Sequence, residues 1–146
     1  MIAELIRRIT APAPPVLDTN DARLALMALL VRIARSDGDY ALSEIERIDR
    51  ICEKRCGLTP NQARLLRAEA ETLEAEAPDT VRFTRAIKDA VPFEERVGVV
   101  EAMWEVVLAD GSRDAEEEAI VRLASHFLGV NDRDCALARQ RVEAAS

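Results

Sequence analysis

The feature that most constrains this chain is an acidic turn that occurs twice at a fixed offset. Asp37-Gly38 followed by Glu44 returns as Asp110-Gly111 followed by Glu117, and both the Asp-Gly and the Glu positions shift by 73 residues. Each copy follows an apolar run with helical spacing. Leu24, Met27, Ala28, Val31 and Ala34 precede the first; Val97, Val100, Met103, Trp104 and Val107 precede the second. Recurrence at three- and four-residue intervals places each set on one helix face. A duplication that keeps its carboxylates as well as its glycine points to a paired acidic site, and so to cation binding.

The rest of the chain extends this plan. Ile45, Ile48 and Cys52, with Ile51 beside them, line the helix after the first turn, which Gly57 should stop. Thr59-Pro60-Asn61-Gln62 is a helix start, with a Thr cap, Pro at the first helical position and Gln at the third. Leu65, Leu66 and Leu73 give a weaker stripe up to Ala77, and Pro78-Asp79 breaks it. Phe83, Ile87 and Ala90 mark a short helix before Pro92. Ile120, Leu123, Ala124 and Phe127 line the helix after the second turn. Beyond Gly129, Asn131 and Asp134 can cap a last helix carrying Leu137 and Val142. Residues 1–17 read separately, as a short amphipathic opening from Ile2 to Ile9 and an extended Ala11-Pro12-Ala13-Pro14-Pro15 arm. Residues 18–146 form one all-α, bundle-like domain, with halves at about 21–77 and 79–146.

Composition agrees with helices: 49% of the 146 residues are apolar, only 3% aromatic, and Ala, Leu, Glu and Arg dominate. The formal net charge of −7 disfavours attraction to nucleic acid or to an anionic bilayer, and suits cations or basic partners. No stretch approaches the roughly 18 apolar residues that span a bilayer, and the first residues lack the continuous core of a signal peptide. Direct membrane insertion is therefore not expected. Cys52, Cys56 and Cys135 are an odd number without secreted-domain spacing, which suggests reduced thiols in a cytoplasmic compartment.

Asp37, Asp39 and Glu44 could face one point in the first turn, and Asp110, Asp114 and Glu117 in the second. Carboxylate clusters suit hard oxygen-binding cations, so Ca²⁺ or Mg²⁺ is favoured over Zn²⁺ and no organic cofactor is expected. The spacing is not that of an EF-hand, whose glycine is sixth and whose bidentate Glu is twelfth. The competing reading gives these residues to the fold. Glycine permits a left-handed helix end, and Asp114 with Glu117 forms a capping box. In the first copy Ala41 stands where Asp114 stands in the second and has no capping oxygen, although Glu44 is kept.

Other chemistry is weaker in the sequence. Cys52, Cys56, Cys135 and His126 could make a Cys3His zinc set, but the usual two-residue ligand spacing is absent, and small buried thiols are the simpler reading. His126, the single histidine, has Leu123 three residues before it, so no Glu-x-x-His pair exists. Trp104 reads as core, and Glu69-Ala70-Glu71 through Glu76 and Glu116-Glu117-Glu118 as solvated faces. No nucleophile elbow, phosphate loop or metalloprotease motif occurs, so no enzyme is expected. A carboxylate hydrolase would need a strongly raised carboxyl pKa in a closed pocket.

Several segments resemble the TerB-like tellurite-resistance family: Phe83-Thr84-Arg85-Ala86-Ile87, the run from Glu101-Ala102-Met103-Trp104 to Ala109-Asp110-Gly111, Asp114-x-x-Glu117, and Leu128-Gly129-Val130. Ala34-Arg35-Ser36-Asp37-Gly38 and Glu44 match in the first half, so the resemblance runs from about Ala22 onward. It implies a helical bundle of about seven or eight helices with an internal pseudo-twofold. It implies acidic residues gathered where the copies meet, with metal binding, and carries the acidic pattern onto Asp37, Glu44, Asp110 and Glu117. It further implies a non-enzymatic role in tellurite resistance and related stress systems, alongside membrane-bound and cytoplasmic protein partners. Ala41 departs from the acidic or hydroxyl residue of the family pattern, which breaks the symmetry of a two-metal site.

Overall fold

A computed structural model describes residues 19–77, 79–109 and 115–145. The opening at Ile2 to Ile9, the proline arm, Pro78, Asp110, Gly111 and Asp114 lie outside the described residues. Within them the chain forms seven α-helices: α1 (Thr19–Arg35), α2 (Leu42–Cys56), α3 (Pro60–Glu76), α4 (Val81–Ala90), α5 (Phe93–Val107), α6 (Ala115–Phe127) and α7 (Asp132–Ala145).

Local chemistry sets several of these ends. Gly38 takes φ 81° and its N–H donates to the Arg35 carbonyl at 3.0 Å, closing α1. Gly57, at φ 67°, ends α2 in the same left-handed region. At the start of α3 the Thr59 hydroxyl accepts from Gln62 N–H at 3.1 Å, while the Gln62 side chain accepts from Thr59 N–H at 2.9 Å. This is the expected reciprocal cap. Asn131 caps α7 through Asp134 N–H at 2.8 Å, and Asp134 itself lies inside the helix.

The helices before the two acidic turns form the centre. Helix α1 packs on α2, α3, α4, α5 and α6, and α5 on α1, α2, α6 and α7. Under the 73-residue shift α1 falls on α5, α2 on α6 and α3 on α7, and the packing pattern maps onto itself: α1 with α6 mirrors α5 with α2. Burial repeats too. Met27, Leu30, Val31 and Ile33 are fully buried, and so are their counterparts Val100, Met103, Trp104 and Val106. Helix α4 joins the halves by packing on α1 and α6.

The faces differ in detail from a single-stripe reading. From Ala25 to Ala34 only Arg32 escapes burial, so α1 is enclosed on nearly every side rather than along one face. Helix α3 turns alanines inward, Ala63 and Ala70, leaving Leu65 exposed and Leu66 and Leu73 at the margin. Small side chains let its backbone approach α1 closely. In α6 the inner positions are Val121, Ala124 and Ser125, while Leu123 faces outward, as Leu137 does in α7. Trp104 sits in the core, its ring N–H donating to the Cys135 carbonyl at 3.1 Å.

Truncating this centre should act alike in both halves. Leu30→Ala and Met103→Ala should each cost about 2–5 kcal/mol. Urea denaturation checks this, and a loss in one variant but not its counterpart would contradict the equivalence of the two helices.

Candidate carboxylate site

The first acidic turn is pinned from three directions. Inside it, Ser36 Oγ donates to the Ile33 carbonyl at 2.7 Å, and Asp37 Oδ1 accepts from Asp39 N–H at 2.8 Å. From α3, Glu71 accepts a hydrogen bond from the Tyr40 hydroxyl at 2.7 Å, while Arg67 bridges Glu71 at 3.1 Å and Asp49 of α2 at 2.7 Å. From α1, the Arg35 guanidinium lies 4.9 Å above the Tyr40 ring and pairs with Glu74 at 2.7 Å. Arg32, between them, donates to Glu74 and to the Glu74 and Ala77 carbonyls at the end of α3. These cations answer the negative end of that helix. The Tyr40 hydroxyl is what ties this turn to α3.

Glu44, in the first turn of α2, is 3% exposed, whereas Ile45 beside it is only half-buried. The buried face of α2 therefore runs Glu44, Ile48, Cys52, Cys56 at four-residue steps, with Ile51 beside it, and begins with an acid. Glu44 Oε1 accepts from Ala41 N–H at 3.2 Å. Half a capping box thus forms although Ala41 brings no oxygen of its own, so capping does account for one oxygen of Glu44. Asp37 and Asp39 are exposed, and space beside Gly38 is open.

In the second half Glu117 is 4% exposed, at the position equivalent to Glu44. Glu118 is buried as well, paired with Arg139 of α7 at 3.1 Å and with Arg122 at 3.7 Å. The Glu116-Glu117-Glu118 run is therefore not a solvated face: only Glu116 is exposed. Asp110 and Asp114 lie outside the described residues. Among the described residues no three His, Cys, Asp or Glu side chains gather around a point that could hold a metal ion. Thus Asp37, Asp39 and Glu44 do not close on one centre by themselves, and Cys52, Cys56, Cys135 and His126 do not form a four-ligand set. Cys135 donates instead to Ser125 Oγ at 3.4 Å.

Among the described residues no helix is long and apolar enough to cross a membrane. Two measurements probe the pinned turn. Burial, then the Glu71 hydrogen bond and the Glu71 charge, push the Tyr40 phenol above its ordinary value against the opposing pull of Arg67 and Arg35. A raised folded-state pKa stabilises the protein below the unfolded value near 10, and that contribution is lost as pH rises beyond it. Tyr40 is the single tyrosine, so its ultraviolet titration should run later in the folded chain than in urea, and coincident curves would contradict the contact. Ala41→Ser should supply the missing cap oxygen and add about 0.5–1 kcal/mol in urea denaturation. A loss of stability would count against the half-box.

Residues 23–140 match the family described as tellurite resistance protein TerB. No curated protein matches, and no solved structure does.

Proposed function

The chain belongs to the TerB tellurite-resistance family, and from that membership we propose a non-enzymatic cytoplasmic module of stress-response type that holds a divalent cation through its duplicated turns. The ligands would come from Asp37, Asp39 and Glu44 in one half and Asp110, Asp114 and Glu117 in the other.

One observation carries this reading: Glu44 and Glu117, at equivalent repeat positions, are both almost wholly buried in the first turn of the helix that follows an Asp-Gly pair in the sequence. Enclosing a carboxylate is costly. A turn that needed only a cap could leave the side chain at the surface, as Gln62 does in the reciprocal cap of α3. Keeping the burial in both copies favours a positive charge held between or beside them. An all-oxygen donor set selects Ca²⁺ or Mg²⁺ before Zn²⁺.

A second reading has its own support. Asp37 Oδ1 and Glu44 Oε1 already accept backbone N–H groups, which suits a metal-free scaffold whose acids only shape turns. Under it, a partner protein, including a membrane-bound component of the same stress system, docks on the acidic surface. Nucleic acid is disfavoured by the net charge of −7.

Calorimetric titration of chelator-stripped protein with Ca²⁺, Mg²⁺ and Zn²⁺ separates the two. Saturable binding of a hard cation, weakened at least tenfold, about 1.4 kcal/mol, in a folded Glu44→Gln/Glu117→Gln variant, is the expected result. No heat in the folded wild type, together with partner capture that survives chelation, would favour the scaffold.

A further inference from the structure

Two thiols stand one turn apart on α2. Cys52 is fully enclosed, while Cys56, the last residue of the helix, forms part of the wall of a cavity of about 440 Å³. Residues of α1, α4 and α5 close the other sides. Leu26, Ile87 and Val99 make it apolar, and Arg23 and Arg55 bring positive charge to the same wall as the sulfur. Gly98 adds no side chain there, and an added Cβ would stand 3.6 Å from the Arg55 guanidinium. The third cysteine, Cys135, is buried elsewhere against Ser125. The cavity therefore singles out one sulfur of the three, enclosed on its inner side by a second thiol and flanked by two guanidiniums.

We propose that Cys56 is a covalent modification site, which takes a small anionic disulfide into this cavity and retains one half of it as a mixed disulfide. The arginines draw in the negative group, and the apolar walls receive the carbon chain. In the step itself the Cys56 sulfur, as thiolate, attacks the near sulfur of the reagent. A Cys56 S–S bond forms as the reagent S–S bond breaks, and the far half leaves as a thiolate that takes up a proton. One disulfide is exchanged for another, so no further oxidant is needed. Cys52 does not line the cavity and stands one turn behind Cys56 in the core.

The surroundings favour the reactive form at Cys56. The neighbouring Cys52 thiol favours the charged form at Cys56 and lowers its pKa; burial opposes this, and Arg23 and Arg55 add to the lowering. Cys52 is correspondingly raised, by its interaction with the Cys56 thiol first, then by its enclosure and by the charges of Cys56, Asp49 and Glu53. Glu95 also lines the cavity and, like the C-terminal end of α2, works against a thiolate. Arg55 is shared with Glu101 and Glu105 of α5, so Arg23 and the neighbouring thiol carry most of the balance against it.

The test treats the full chain with three alkyl disulfides: dithiodiglycolate, which is anionic, bis(hydroxyethyl) disulfide, which is neutral, and cystamine, which is cationic. Rates are normalised to those of the chain unfolded in urea, and adducts are located by peptide mass spectrometry. One adduct per chain is expected, on Cys56, with the anion favoured roughly tenfold or more over the neutral reagent and the cation slowest. Arg23→Gln should shrink that preference. The rate should rise with pH through a midpoint below the ordinary thiol value of about 8.5, and Cys52→Ala should move the midpoint up. Equal, slow labelling of all three cysteines, an adduct on a different one, a Cys52–Cys56 disulfide without adduct, or indifference to reagent charge would each overturn the proposal. Mapping on the wild-type chain decides the matter even if a cysteine variant fails to fold.

Discussion

The fold depends on the mutual burial of α1 and α5, the two helices that run into the acidic turns. From Ala25 to Ala34 every residue of α1 but Arg32 is buried, as is the inner face of α5 from Val99 to Val107, and Met27, Leu30 and Ile33 share one core with Val100, Met103 and Trp104. Each fully buried side chain of this kind contributes about 1.5–3 kcal/mol. The consequence reaches the turns directly. A helix whose last turns are held in the core fixes where its C-terminus emerges, so the helix that follows starts against the core. Its third residue, Glu44 or Glu117, is thereby carried inward.

Charge then secures the periphery. Arg32 and Glu74 are each about one-eighth exposed, and Arg32 also holds two carbonyls at the end of α3. Such a pair is screened far less than a surface ion pair, and removing one partner would strand the other in a poorly solvated place. The second half uses different residues for the same task. Arg141 and Arg139 reach from α7 to Glu101 of α5 and Glu118 of α6. Glu101 itself stands where the first half has the fully buried Ala28, so the second half turns a core position into part of its clasp.

Much of this architecture is legible in the sequence because helix periodicity, proline and glycine act locally. The ends at Gly38 and Gly57 and the Thr59–Gln62 cap follow from residue type alone. The inner faces of α3 and α6 do not, since which side of a weakly amphipathic helix turns inward depends on how close its neighbour lies. Ala63 and Ala70 are buried and Leu65 is exposed where α3 packs on α1 and α2. The acidic turns are visible as a pattern, but the burial of Glu44, Glu117 and Glu118 is not, because charged residues are ordinarily read as exposed. Tyr40 and Arg67 escape notice for another reason: their partners Glu71 and Asp49 are distant in sequence and meet them only once α2 and α3 pack. The Cys56 cavity likewise exists only through α1, α4 and α5 closing around the end of α2.

The central claim is that the two buried glutamates of the repeat act together. Side-chain carboxyl ¹³C resonances of Glu44 and Glu117, followed while Ca²⁺ is added to the stripped protein, test it most directly. A cation shared by the two glutamates moves both, with one saturation curve, while exposed carboxyls such as Glu46 and Glu76 stay still. Fixed resonances at both buried positions, with only diffuse drift at the surface, would contradict it.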